Sequence, residues 1–303
     1  MKVAVAGTGN VAQYLFEELT NHGHEVVVLT RKTKPNIKLE QRETDYSVAS
    51  LITNLADTDA LISTVADFLD PKMTTRLHLT MLSAIQQSTR CKTFIPSEWT
   101  LNAEDHPEQP MPMHEHTQTL HGALKAADPS IRWTIISNSW FLDYIVPQSQ
   151  RHLRDIGPLW PMDHATKTFT IYGPGTQRFS VVAVRDVARA VAALLDSTAP
   201  WEQYTYVAGQ EVSWNELFEI MRERDPAWKR TVKPLADTVR HVLSGNADEA
   251  LVGYFELLTY SGASLLPRER VERDRARYFP GIKFRSIEEV LDDAAAARPG
   301  EIV

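Results

Sequence analysis

The first candidate for chemistry is a run of small residues near the N-terminus, Gly7-Thr8-Gly9-Asn-Val-Ala12, with the spacing G-x-G-x-x-A. In such a motif the first glycine permits a tight turn, and the second lets a pyrophosphate approach the backbone. The small third residue allows the following helix to pack closely on the preceding strand. The N-terminus of that helix adds free N–H groups and the positive end of the helix dipole. The motif therefore predicts a dinucleotide-binding site.

The end of the next apolar segment indicates which dinucleotide binds. A site for NAD usually carries Asp or Glu there, which accepts a hydrogen bond from the ribose 2′-OH. This chain instead has Leu29-Thr-Arg31-Lys32, with two cations and no acid. Because two positive charges suit a 2′-phosphate, the sequence favours NADP(H) over NAD(H).

Side chains that could transfer a proton occur in the middle of the chain. Imidazole titrates near neutral pH, so His114 and His116 are candidates for a general acid or base. Glu98 is a candidate for contacting the substrate or orienting neighbouring backbone. No metal site is predicted, although His121 is also near, because residues 114 and 116 would point to different faces of a helix.

A regular alternation of strands and helices would position these residues. A strand over 2–7, a helix over 10–21 and a valine-rich strand over 25–29 form a βαβ unit within about 30 residues. The alternation continues through helices at 48–55, 71–88 and 113–127 and strands at 60–65, 92–96 and 132–137. The pattern predicts a doubly wound α/β fold, a parallel Rossmann sheet with helices on both faces.

After Pro147 the alternation of strands and helices becomes less regular. Strands are predicted at 168–172, 178–182 and 203–207, a helix at 184–195, and mostly helix over 225–280. Ser213 and Ser286 each stand three residues before Glu, a capping-box pattern that opens a helix. We expect residues 1–150 to form the cofactor-binding domain, with its sheet recruiting parts of 178–210. Residues 151–303 are then mainly a smaller α+β region that binds the substrate.

Composition excludes several classes of protein. The chain has 303 residues with Lys+Arg 32 and Asp+Glu 39, a net charge of -7, which disfavours nucleic acid as the main partner. No stretch approaches the roughly 18–20 apolar residues of a membrane helix, and residues 1–6 enter a strand rather than a signal peptide. Cys91 is the only cysteine, so disulfides within the chain are excluded. A cytoplasmic protein is expected, and a monomer and a homodimer are both compatible with the sequence.

Several segments together resemble the NmrA-like and isoflavone-reductase-like branch of the atypical short-chain dehydrogenases. They are Asp57–Val65, the string Phe94-Ile-Pro-Ser-Glu98-Trp99, and the string Asn138-Ser-Trp-Phe-Leu-Asp-Tyr-Ile-Val-Pro147. In the family, the loop after the strand ending near Pro96 passes beside the nicotinamide. The resemblance implies an NADP(H) site built from Gly7, Thr8, Gly9, Asn10, Val11, Arg31, Lys32, Thr64, Val65, Pro96, Ser97 and Asn138.

One departure from that family concerns catalysis. Its reductases carry a lysine on the helix after the Pro-Ser-Glu loop, and here that position is Thr117 and the accompanying tyrosine position is His114. The only lysine between residues 93 and 166 is Lys125, eight residues further along. Three readings follow. In the first, His114 or His116 replaces the lysine. In the second, the reaction needs no strong acid, as in hydride transfer to an iminium carbon. In the third, the protein binds NADP(H) without oxidising or reducing it and acts as an isomerase, a cyclase or a regulator.

The leading prediction is an NADPH-dependent reductase of a bulky aromatic or polycyclic small molecule, in specialised metabolism. The reduced bond would be C=N, C=C or C=O. The predicted catalytic residues are His114 for proton transfer, Thr117 as a polar contact, and Glu98. Aromatic residues expected at the carboxyl edge of the sheet would line the substrate pocket: Trp99, Trp140, Phe141 and Tyr144.

Overall fold

The computed structural model describes residues 1–67, 70–99, 101–109 and 113–303 and is built on a six-stranded parallel sheet. The sheet order is β3-β2-β1-β4-β5-β6, which reverses direction between β1 and β4. Such a reversal defines the switch point at which doubly wound folds bind ligands. The predicted fold class is confirmed. The strands are β1 (Lys2–Ala6), β2 (Glu25–Thr30), β3 (Glu40–Glu43), β4 (Ala60–Ser63), β5 (Thr93–Ile95) and β6 (Arg132–Trp133).

Helices cover both faces of this sheet. The helices are α1 (Asn10–Asn21), α2 (Val48–Asn54), α3 (Pro71–Gln87), α4 (His114–Lys125) and α5 (Val184–Asp196). Side chains alternate along a strand, so Val3 and Val5 of β1 join the core under α1 and α5, whereas Ala4 and Ala6 join the core under α2, α3 and α4. The buried valines of β2 divide in the same way, which explains why these strands are apolar without interruption.

The C-terminal half contributes strands to the same edge of the molecule. After a break at Thr134, the chain of β6 continues as β7 (Ile135–Ser137) and β8 (Trp140–Phe141). Strand β7 pairs in parallel with β12 (Tyr204–Tyr206), and β8 pairs in parallel with β11 (Arg178–Val182), which also pairs with β13 (Gln210–Ser213). Strands from residues 178–213 therefore extend the architecture begun by the first half.

A second sheet and five helices complete the chain. The sheet has the order β14-β10-β9, from β9 (Met162–Asp163), β10 (Thr168–Tyr172) and β14 (Lys229–Lys233). The helices are α6 (Trp214–Arg224), α7 (Leu235–Val242), α8 (Ala247–Leu258), α9 (Arg268–Tyr278) and α10 (Ile287–Ala296). The capping boxes predicted at Ser213 and Ser286 are both present. Strand β14 lies inside a segment predicted to be mostly helical.

Buried carboxylates connect the C-terminal elements to the main sheet. Asp143 accepts a hydrogen bond from the Val184 N–H at 2.7 Å, and Asp274 accepts one from the Tyr206 N–H at 2.8 Å. Asp186, fully buried at the start of α5, accepts from the backbone N–H of Arg285 at 2.8 Å. Among the described residues, no helix is both long and apolar enough to cross a membrane.

Candidate active site

The turn between β1 and α1 requires its first glycine. Gly7 has a φ of +103°, and a Cβ added there would lie 2.6 Å from the Thr64 Oγ1. Thr64 cannot easily move, because its N–H and its hydroxyl both donate to the Ala6 carbonyl, at 2.8 and 2.9 Å. The loop after β4 is therefore packed directly against the glycine turn.

The second glycine of the motif faces open space. Gly9 is the N-cap residue of α1 and has no side-chain cap, and a Cβ added there would meet no atom within 4 Å. The first N–H groups of α1 are thus accessible at the switch point of the sheet. This arrangement fits a phosphate group, which would lie against the backbone at the positive end of the helix dipole.

The side chain of Asn10, a predicted cofactor-binding residue, bonds to another part of the chain. With its amide oriented to satisfy both partners, its nitrogen donates to the His152 carbonyl at 3.2 Å and its oxygen accepts from the Arg154 N–H at 3.1 Å. The side chain therefore joins the start of α1 to the segment that follows β8. Thr8 and Val11 lie beside it in the same turn, where the Thr8 carbonyl accepts a bond from Gln13 at 3.4 Å.

Two cations stand at the carboxyl end of β2. Arg31 and Lys32 are exposed, and neither side chain has an ion-pair or hydrogen-bond partner in the part of the chain that the structure describes. The nearest strand-end acid, Glu43 of β3, accepts the Thr33 N–H at 3.0 Å. Free positive charge at this position suits a phosphate on the adenosine ribose.

A buried histidine joins the carboxyl ends of β4 and β5. His78 of α3 is 1% exposed, and its Nδ1 donates to the Thr74 carbonyl at 2.9 Å. Its Nε2 is therefore an acceptor, and it receives the Ser63 hydroxyl at 2.9 Å and the Ser97 N–H at 3.1 Å. Burial lowers the pKa of His78 to about 4, so the ring stays neutral. His78 thereby fixes the position of Ser97, directly after Pro96.

A second buried histidine lies beside Glu98. The His121 Nε2 donates to the Glu98 carboxylate at 2.6 Å, and in the neutral ring its Nδ1 accepts from the Tyr204 hydroxyl at 3.1 Å. Burial, followed by the charges of Glu98 and Glu104, raises the pKa of Tyr204 to about 12, which keeps its proton in place. This network connects the loop after β5 to α4 and β12, with the carboxylate of Glu98 at its accessible end.

The network predicts a loss of stability when its central member is removed. His121→Leu would leave the mostly buried Glu98 carboxylate without its partner, and we expect a loss of about 2 kcal/mol in the free energy of unfolding. His121→Gln retains a donor and should recover part of that loss. Urea unfolding of both variants measures the difference, with His114→Ala as a surface control; equal losses for all three would contradict this account.

The other predicted catalytic residues lie on the same helix. His114 is the first residue of α4, half-buried, and its Nδ1 donates to the Pro107 carbonyl at 3.0 Å. Thr117 is buried one turn before His121, on the face of α4 that packs toward the sheet, and His116 is half-buried. Sequence reasoning considered His121 only as a metal ligand, although its spacing from Leu120 and Leu124 places it on the buried face.

The carboxyl end of β7 carries an unsatisfied polar atom. Asn138 is fully buried, its amide nitrogen donates to the Ser139 carbonyl at 3.0 Å, and its Oδ1 has no partner among the described residues. Ser139 follows with a φ of +57°, and its hydroxyl donates to the Ser264 carbonyl at 2.6 Å. Asn138 therefore carries a buried acceptor that no group among the described residues satisfies.

A cavity of about 740 Å³ lies in the C-terminal half of the chain, and Tyr144 and Trp160 supply aromatic parts of its lining. Arg151 and Asp155 of its wall flank the segment whose backbone Asn10 binds. Of the other predicted pocket residues, Trp140 lies in the aromatic core against Trp160 and donates from its indole nitrogen to Ser264. Trp99 and Phe141 are partly buried against the core under α1 and α5.

Comparisons with known proteins agree with this architecture. The sequence profile of the NmrA-like family matches residues 2–257. Two curated relatives, both named Oxidoreductase swnR, come from Arthroderma benhamiae and Metarhizium robertsii. They are 32% and 34% identical to this chain over 301 and 299 residues, covering 96% of it and 96% of each relative.

Solved structures share the fold at lower sequence identity. The structure of AtPrR2 with NADP+ and (+)pinoresinol has a TM-score of 0.77 at 19% identity, covering 96% of this chain and 97% of that one. A ternary complex of leucoanthocyanidin reductase from Vitis vinifera has a TM-score of 0.77 at 16% identity, covering 98% and 100%. The whole chain is therefore similar in fold to proteins of this reductase type.

Proposed function

Because the chain belongs to the NmrA-like family, we propose that it is an NADPH-dependent reductase acting on a small organic molecule. The observation that supports this most directly is the pairing of the open Gly9 turn with two unpartnered cations, Arg31 and Lys32, on the neighbouring strand. The first offers a place for a pyrophosphate and the second for a 2′-phosphate. The oxidoreductase names of the two curated relatives support the same activity.

In this proposal, different residues around the switch point contact different parts of the cofactor. Gly9 and the first turn of α1 would hold the pyrophosphate, and Thr64 and Val65 would form the adjoining wall. Pro96, Ser97 and Asn138 lie at the ends of β5 and β7, where they would contact the nicotinamide. A bound NADPH supplies hydride at C4 of that ring. His78 holds Ser97 in place through its N–H, so the nicotinamide side of the site is preorganised.

Glu98 and His121 are our candidates for proton transfer. Glu98 directly follows Ser97 in the chain, and its carboxylate is bonded at 2.6 Å to the imidazole of His121, so a carboxylate and an imidazole are joined beside the proposed nicotinamide position. His114 remains a second candidate, one turn before the buried Thr117. If His114 transfers the proton, His114→Ala lowers turnover and leaves NADPH affinity unchanged.

We further propose the kind of substrate. The aromatic side chains Tyr144 and Trp160 in the cavity wall suit a bulky aromatic or polycyclic molecule with a reducible C=N, C=C or C=O bond. Such substrates belong to specialised metabolism. In this proposal residues 1–150 mainly hold the cofactor, and residues 151–303 mainly bind the substrate.

The choice of NADPH over NADH can be tested at one residue. Arg31→Ala should weaken NADPH binding by roughly 1.5–3 kcal/mol, the value of a charge-assisted contact. NADH lacks the 2′-phosphate, so its affinity should change little. Calorimetric titration of both cofactors measures this, and equal losses for the two would contradict the assignment.

The activity itself is tested by titrating cofactor-stripped protein with NADPH and then following NADPH oxidation with polycyclic imines, enones and ketones. Oxidation that depends on one of these compounds would establish a reductase.

A second candidate function, an isomerase, a cyclase or a regulator that binds NADP(H) without turnover, is favoured by one observation, the uncharged Thr117 at the family's lysine position. Substrate conversion without a change in NADPH absorbance would establish an isomerase or a cyclase, NADPH binding without any conversion would favour a regulator, and absence of NADPH binding would overturn both candidate functions.

A further inference from the structure

The cavity of about 740 Å³ lies against one face of the β9–β10–β14 sheet. Side chains alternate along a strand, so Thr168, Thr170 and Tyr172 of β10 share a face, and all three line the cavity. Lys233 of β14 is the register partner of Tyr172 and lines the cavity beside it. The volume falls within the roughly 300–1,000 Å³ of small-molecule sites.

Tyr172 presents a hydrogen-bond donor that nothing uses. The residue is 7% exposed, and its hydroxyl has no hydrogen-bond partner among the described residues. Burial, and after it the charge of Glu256, raises the pKa of Tyr172, so the hydroxyl keeps its proton. A ligand in the cavity that accepts this proton would form a hydrogen bond without displacing a protein partner.

Lys233 adds a second donor at the same end of the cavity. Its Nζ donates to the Glu256 Oε1 at 2.6 Å and to the His241 Nδ1 at 3.0 Å. An ammonium group has three N–H donors, so one is left. Glu256 is 3% exposed, and its other oxygen accepts from the Thr238 hydroxyl at 2.8 Å. No hydrogen bond joins Tyr172 to either oxygen of Glu256 among the described residues.

The charges at this end of the cavity cancel. Lys233 and Glu256 form a buried ion pair, so the two donors are presented without net charge. Arg151 also lines the cavity, but its guanidinium is bonded to the carbonyls of Val146 and Leu153 and to Asp155. The charge of Arg151 is therefore paired with that of Asp155. Because the charges at this polar end are already paired, it suits an uncharged acceptor, which needs no counter-ion.

We propose that this cavity binds a ring-bearing molecule through an uncharged carbonyl oxygen. The oxygen accepts hydrogen bonds from the Tyr172 hydroxyl and the free N–H of Lys233, and the ring lies against Tyr144 and Trp160. The inference rests on the proposed function in one respect, namely that this molecule is taken to be the substrate of the reductase. The carbonyl serves as the anchor of the ligand within the cavity.

The test uses three probes that share one bicyclic ring system: 1-tetralone, tetralin-1-carboxylate and protonated 1-aminotetralin. Their affinities for the whole protein are measured by ligand-observed NMR titration at pH 7.5, with and without NADPH. We expect 1-tetralone to bind best. Tyr172→Phe should weaken it by roughly five- to tenfold, the net value of one hydrogen bond.

Tyr260→Phe is the matched control. It removes a hydroxyl that lies 3.4 Å from the Lys233 carbonyl and does not line the cavity, so it should leave 1-tetralone binding unchanged. Tighter binding of the carboxylate or the amine, an unchanged affinity in Tyr172→Phe, or no saturable binding of any probe would each overturn the proposal. NADPH affinity measured on the same samples separates this failure from failure of the proposed reductase function.

Discussion

Gly7→Ala should lose stability and Gly9→Ala should lose affinity for the cofactor, although the two glycines are only two residues apart. The Gly7 backbone has a φ of +103°, and the added methyl carbon would lie 2.6 Å from the Thr64 Oγ1. Strained backbone costs roughly 1–3 kcal/mol, and overpacking costs a similar amount. We expect Gly7→Ala to lower the free energy of unfolding by about 3 kcal/mol or more, measured by urea unfolding.

Gly9→Ala should keep its stability and lose its cofactor. Gly9 has a φ of -77°, which alanine adopts freely, and its added methyl group would meet no protein atom within 4 Å. Stability should change by about 1 kcal/mol at most. The methyl group would instead fill the space that a pyrophosphate needs, so NADPH affinity should fall by roughly thirtyfold or more. Unchanged NADPH affinity in Gly9→Ala would mean that the cofactor does not lie against this turn.

The free energy of unfolding should decrease as the pH is lowered, because of His78. Its pKa is about 4 in the folded state and about 6.5 when unfolded. The unfolded chain therefore binds a proton first as the pH falls, and the contribution of neutral His78 is complete above pH 6.5. It is lost progressively from pH 6.5 toward pH 4, by about 3 kcal/mol in total.

Buried acids titrate in the opposite sense, so the effect of His78 must be isolated with a variant. Burial raises the pKa of Asp143, which by itself favours the folded state as the pH falls. His78→Gln can still bond to Ser63 and Thr74 but cannot be protonated. The stability difference between the natural protein and His78→Gln should therefore shrink by about 3 kcal/mol between pH 7.5 and pH 4. Parallel curves across this range would show that folding does not lower the pKa of His78.

The first half of the fold was predictable because its signals are local. The strand over 2–7, the helix from Asn10 to Asn21 and the glycine turn between them follow from periodicity and residue type within 20 residues, and the structure has them. The capping boxes at Ser213 and Ser286 are also local patterns. Strand β14 is different, because Lys-Arg-Thr-Val-Lys has no apolar alternation and becomes a strand only by pairing with β10.

The site was harder to predict because its contacts are distant in sequence. His121 meets Glu98 from 23 residues away and Tyr204 from 83 residues away, and neither distance leaves a sequence pattern. His78 is similar, since its partner Ser97 lies 19 residues away in the loop after β5. The available signal was position: both histidines lie on buried faces of their helices, where a polar residue needs a partner.

The pairing of β7 with β12 and of β8 with β11 determines how this protein can be recombined with its relatives. A single crossover near residue 150 would separate strands that share backbone ladders, so the β7 edge of one parent would have to match the β12 edge of another. A chimera that exchanges substrate preference should instead keep residues 178–213 with the N-terminal parent and replace only the segments on either side.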